Sequence, residues 1–211
     1  MSRAILAVLL CATLSGCARA APTPTEKPVL MLITGLPLFS GDRFALDATG
    51  SPALTRLEQA FRVRPIGISD RDSLRDGKLL LMAQPRAQPA EALVDLDEWV
   101  RGGGRVMILA DPRLEWPSER PLGDALRPPF EFADTGLLKH WGLTLLANGS
   151  QGSLRADAGS PCRVERDGLI ATCTIGKGRA EVIADADRLN VERPEALDSF
   201  VVRLQQLARN P

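Results

Sequence analysis

The chain has 211 residues, 45% of them apolar, which is enough to bury one ordinary core or two small ones. Its 26 basic residues balance 26 acidic ones, so no long-range field is available to collect nucleic acid, and both nucleic acid and anionic lipid are set aside as main partners. Tyrosine is absent, aromatics are 4%, and the single histidine, His140, rules out a histidine-rich metal site.

The N-terminus carries the strongest pattern. Arg3 precedes an apolar run, Ala4 to Leu14, which is too short to span a hydrocarbon layer and fits the core of an export signal over residues 1–16. The run ends Leu14-Ser15-Gly16-Cys17, small residues before a thiol, and all four positions match the bacterial lipobox. Cys17 is therefore expected to be acylated and to tether the protein to a membrane, with each buried methylene adding ~0.8 kcal/mol. Ala18 stands where an Asp would retain a lipoprotein at the inner membrane. By resemblance to other lipoproteins the product faces the periplasm from the outer membrane. Residues 17–27 then read as the lipidated cysteine and a small, Pro-containing flexible tether.

Residues 28–211 read as one α/β domain. Val29–Thr34 is a strand buried on both faces. Ser51–Phe61 is a helix with a Ser N-cap, Pro at its first position, and Leu54, Leu57 and Phe61 on one side. Val63–Ile68 and the wholly apolar Leu79–Ala83 are the second and third strands. Pro89–Arg101 is an amphipathic helix whose apolar side includes Trp99, stopped by Gly102-Gly103-Gly104, and Arg105–Ala110 is the fourth strand. The Asp111–Asp134 stretch holds five prolines and little periodicity, so residues 112–135 are expected to be a long functional loop, with Trp116 its contact residue. A short helix at Gly136–Trp141, a strand near Leu143–Leu146, a strand Ala180–Ala184 and a final helix Glu195–Ala208 complete the domain. Apolar strands alternating with helices predict a parallel sheet covered on both faces.

Two thiols remain for an exported chain, Cys162 and Cys173, and they are expected to pair. They flank CRVERDGLIATC, where Asp167-Gly168 predicts a two-residue hairpin turn. Counting outward from that turn sets the cysteines opposite one another at a hydrogen-bonded position, where a disulfide fits less well, so a bulge or a strained bond is expected. Gly176-Lys177-Gly178 predicts a second hairpin turn.

The run LLLMAQPRAQPAEALVDLDEWVRGGGRVMILADP, with the later IGKGR and VIADAD, is similar to glutamine-amidotransferase-like domains. It most resembles the auxiliary-component family of ABC-type transport systems, which includes gliding-motility auxiliary proteins. The resemblance covers roughly 28–207 and implies a flavodoxin-like domain with flanking helices and a C-terminal β-hairpin, extracytoplasmic and without known catalysis. Unlike the longer members of that family, this chain is expected to carry a lipid anchor in place of a transmembrane helix.

A thiol amidotransferase needs a cysteine on the tight turn after a strand and a histidine to take its proton. After the third strand the chain offers Ala83-Gln84-Pro85-Arg86, with no Cys, Ser or Thr. Ligands of open α/β sheets bind at the carboxyl ends of the strands, where Arg86, Asp111, Asp185 and Asp187 lie. Arg86 could hold an anion or be solvated. The three aspartates could form an acid–base pair or an acidic cluster for a metal; the simpler reading is that they cap turns. No catalytic residue, metal or cofactor is assigned. The expected partners are the membrane, through the lipid, and a protein of the envelope. The alternative is a carboxylate-dependent periplasmic hydrolase using Asp111 with Asp185 or Asp187.

Overall fold

The order of the strands follows from which of them are apolar on both faces. A computed structural model describes residues 26–39, 50–149 and 151–209; the export signal and Cys17 lie outside the described residues. The central strands β1 (Val29–Thr34), β3 (Leu79–Ala83), β4 (Arg105–Leu109) and β9 (Gly178–Ile183) are almost wholly buried. Strand β2 (Arg62–Pro65) is half exposed and sits at an edge, outside β1. The sheet runs β2-β1-β3-β4-β9-β8-β7, parallel through β9, with β8 (Ile170–Ile175) and β7 (Cys162–Val164) added antiparallel. This is a mixed α/β fold with a mostly parallel central sheet and flanking helices.

Alternate residues of each strand feed two cores. Leu30, Leu32, Leu81, Met107, Leu109 and Ile183 meet α1 (Pro52–Ala60) and α5 (Asp198–Arg209) on one face. Met31, Ile33, Leu80, Met82, Val106, Ile108 and Val182 meet α3 (Ala90–Arg101) and α4 (Leu137–His140) on the other. Helix α1 starts as its sequence predicts, with the Ser51 hydroxyl accepting from Leu54 N–H at 3.1 Å. Helix α3 ends at the glycine run, where Gly103 takes φ +115°, a conformation open to glycine. Trp99 packs against the second core beneath Gly104, where a Cβ would collide with its ring. No described helix is long and apolar enough to cross a membrane.

Four features depart from the sequence expectation. The second strand ends at Pro65 rather than Ile68: its register with β1 stops there, after which Ile66 N–H makes a last bond to Leu32 O at 3.0 Å. A short helix, α2 (Arg71–Leu74), capped by Asp70, follows it. The last helix begins at Asp198, after a 3-10 turn at Pro194–Leu197. Strand β5 (Leu143–Asn148) leaves the central sheet altogether and pairs with β6 (Gln151–Ala156) in a separate two-stranded sheet.

Cys162 and Cys173 face one another and form a disulfide, with Cα atoms 3.9 Å apart. The phase of the ladder differs from the expectation. Glu165 N–H donates to Ile170 O and Gly168 N–H to Glu165 O, so four residues rather than two make the loop. With Thr174 N–H bonded to Pro161 O at the far end, the cysteines fall between hydrogen-bonded pairs, at the close-approach position that a cross-strand disulfide prefers.

Candidate functional site

The carboxyl ends of β1, β3, β4 and β9 converge on one rim. At the turn after β3, where an amidotransferase would hold its thiol, the chain places Gln84. It is fully buried at φ 44°, the only described non-glycine residue with positive φ. Its amide is spent on the neighbouring main chain. The Nε2 group donates to Asp111 O at 3.0 Å, and Oε1 accepts from Asp111 N–H at 2.8 Å. A constrained elbow is present, and it carries a structural clamp instead of a nucleophile. No motif would have found it; the sequence shows only an amide after an apolar run.

Asp111 is committed in the same way. It is 4% exposed, Oδ1 accepts from Arg113 N–H at 2.8 Å, and Oδ2 accepts from Ala186 N–H at 3.1 Å. This carboxylate ties β4 to the segment after β9, which is the turn-capping reading. Asp185 caps too: Oδ1 accepts from Arg188 N–H at 3.1 Å, and Oδ2 lies 3.5 Å from the Arg188 guanidinium. Asp187 differs. Its Oδ2 accepts from Glu115 N–H at 2.9 Å, while Oδ1 is buried without a partner. Burial, with the charges of Asp111, Asp185 and Glu115 around it, raises its pKa above the usual carboxylate value. These four acids share a cleft of about 250 Å³ with Gly152. Among the described residues, no group of three or more His, Cys, Asp or Glu is placed to hold a metal ion.

The 112–135 loop roofs the rest of the rim. Phe132 N–H donates to Asp111 O and Leu114 N–H to Phe130 O, pinning both ends. Pro129 presses so closely on Gly35, at the end of β1, that a Cβ there would come within 2.8 Å of its ring. Arg86 donates to Ala125 O and, at 2.7 Å, to Arg127 O. Arg86 is exposed, as the solvated reading has it, and its guanidinium also holds the loop down. Trp116 is half buried and packs against the first core, so it is an anchor of the loop rather than its contact residue. Among the residues the loop exposes are Leu122, Leu126 and Phe130, at 89%, 59% and 67%, beside the charged Arg113, Glu115, Glu119 and Glu131.

His140 stands elsewhere, on α4, with its ring Nε2 3.5 Å from Asp97 Oδ2. Burial pushes the Asp97 carboxyl up, but hydrogen bonds from Arg101 and the Trp141 indole, with the charges of Arg101 and His140, bring it below its ordinary value. The group braces α3 against α4.

No protein-family model matches the chain, and no curated protein matches it. Among solved structures, it is similar to a cytoplasmic protein from Salmonella typhimurium at 13% identity, over 87% of this chain and 100% of that one, with a TM-score of 0.50. An exo-β-1,4-mannosidase from an Opitutaceae bacterium matches at 13% identity and TM-score 0.49 over 86% of this chain, which spans only 36% of the mannosidase. A putative ThuA-like protein from Parabacteroides merdae matches at 13% identity and TM-score 0.43, over 87% and 91% of the two chains. At these identities the likeness is one of fold alone.

Proposed function

We propose that the protein is a membrane-anchored lipoprotein whose α/β domain binds or scaffolds without catalysis, as an accessory to an envelope complex of the ABC-transport kind. In its finer description the fold is read as flavodoxin-like and amidotransferase-like, with the cysteine hairpin as its C-terminal addition. Acylation at Cys17 holds it to the outer membrane on the periplasmic side.

The observation that carries the non-catalytic reading is Gln84. A strained, buried elbow survives at the position suited to a nucleophile, and its side-chain amide, which is no nucleophile, is bonded through both its nitrogen and its oxygen to the Asp111 main chain. The crevice above β1 and β3, where a substrate would lie, is occupied by the chain's own Pro129. The large apolar side chains exposed on the loop, Leu122, Leu126 and Phe130, form the contact surface on this reading, in the role first expected of Trp116. A partner burying three such side chains would gain ~1.5–3 kcal/mol from each.

The test is capture from the native envelope with a cleavable crosslinker. The triple variant Leu122→Ser, Leu126→Ser, Phe130→Ser should fold normally, because these side chains are exposed, and should lose the partner. Co-purification of the same partner by the variant would overturn the reading.

A second reading is favoured by Asp187, whose buried Oδ1 and raised pKa suit a general acid beside Asp185. A carboxylate-dependent hydrolase of this kind would use Asp187 rather than Asp111, both of whose oxygens are engaged. Turnover of a chromogenic ester or glycoside that disappears in Asp187→Asn would replace the binding reading with this one.

A further inference from the structure

The second sheet leaves one edge open. Strand β5 pairs only with β6, in the register Leu143↔Ala156 to Asn148↔Gln151. Asp157 N–H donates to Gly142 O at 2.9 Å, which fixes the phase of the ladder. Alternation then directs the main-chain groups of Thr144, Leu146 and Asn148 toward β6, and those of Leu143, Leu145 and Ala147 away from it. The same phase is visible on β6, where Leu154 N–H points outward and donates to Gly168 O at 2.7 Å. The outer edge of β6 is thus bound by the cysteine hairpin. Among the described residues, nothing bonds the outward groups of Leu143, Leu145 and Ala147.

A cleft of about 430 Å³ runs along this edge, and Leu143, Thr144, Leu145 and Ala147 line it. Because consecutive residues face it, the strand meets the cleft with its edge rather than with one face. The rest of the lining is Pro112, Phe132 and four charged residues, Glu131, Asp134 and Asp157 with the single Lys139, and all four charged residues are exposed. Asp134 is held in position there, with Oδ1 accepting from Gly136 and Leu138 N–H.

We infer that the free edge of β5 is a docking strand for an extended segment of another protein carrying lysine or arginine, taken up by strand addition. The outward N–H and C=O groups supply a main-chain ladder, and alternate basic side chains of the incoming segment meet the three carboxylates. Leu143 is 1% exposed, so the accessible edge runs from Leu145 to Ala147, ~7 Å at ~3.3 Å per residue, and about three residues of partner are held. A second copy of this edge is a poor occupant: LTLLAN has no basic residue, and two acidic clefts would meet. This surface is separate from the Leu122–Phe130 tip, and the inference does not depend on that reading.

The probe is a fluorescent, N-acetylated octapeptide alternating lysine and valine, titrated against the full-length protein in detergent micelles. The control peptide has glutamate for lysine. The lysine peptide should bind and slow amide exchange across 143–148, and the glutamate peptide should not. Ala147→Pro removes one outward donor without touching the β6 ladder, and should weaken binding roughly tenfold. Glu131→Lys with Asp157→Lys should do at least as much, while the triple tip variant should bind as the parent does. No binding of the lysine peptide, equal binding of the two peptides, an unaffected Ala147→Pro variant, or protection confined to the 112–135 loop would each overturn the inference. So would an Ala147-dependent dimer of this chain.

Discussion

Gln84 is where the account makes its sharpest energetic demand. Truncating Gln84→Ala removes both amide bonds to Asp111. The Asp111 carbonyl keeps a second donor, Phe132 N–H at 2.7 Å, but the buried Asp111 N–H loses its one acceptor. An orphaned buried donor costs ~1–3 kcal/mol, and one lost methylene adds ~0.8 kcal/mol, so Ala should destabilise by about 3 kcal/mol. Gln84→Gly loses the same contacts but relaxes φ 44°, and should recover about 1 kcal/mol of that loss. Gln84→Glu can still accept from Asp111 N–H but, when ionised, cannot donate to Asp111 O. Its deficit should therefore shrink as acid protonates it. Urea unfolding of the purified protein, followed by tryptophan fluorescence, reads all three. An alanine variant within 0.5 kcal/mol of the parent (well below the ~1 kcal/mol of a single lost bond), or more stable than the glycine variant, would refute the clamp.

Three further outcomes follow from the same structure. Replacing Cys162 and Cys173 together by Ala should cost about 3 kcal/mol, the loop-closure entropy of a bridge between residues 11 apart, measured as a drop in the urea midpoint. Arg86→Ala should leave the central strands protected in hydrogen exchange while the 112–135 loop becomes labile and protease-sensitive, since two of its carbonyls lose their guanidinium. Asp187 has a raised folded pKa, so its ionisation opposes folding above the unfolded value of 3.8 and the penalty vanishes in acid. Asp187→Asn should raise Tm at pH 7 and leave it unchanged near pH 3; a penalty at pH 7 would contradict the burial argument.

The parallel sheet was legible because VLMLIT, LLLMA and RVMILA are apolar on both faces, which few structures other than a covered sheet can use. Strand β6 was not, because QGSLRA has weak strand character. Gly152 is there because Ala184 O and Pro112 leave no room for a Cβ, a tertiary reason invisible along the chain. The cysteine pairing was readable from spacing, whereas its phase depended on a loop two residues longer than Asp-Gly suggests. At the rim, the turn-capping reading of Asp111 and Asp185 agrees with their backbone partners, while the loop's own contacts were not legible. Arg86 and Trp116 serve the loop's own architecture, and Gln84 became visible only through its backbone angle.

An envelope-bound binding module requires an anchor, and intact-mass analysis of the protein extracted from membranes tests that most directly. The account predicts a mature chain beginning at Cys17 and heavier than its sequence by several acyl chains, with the adduct and membrane retention both lost in Cys17→Ser. A mature protein that starts elsewhere with an unmodified N-terminus, or that stays with the membrane after that substitution, would contradict it.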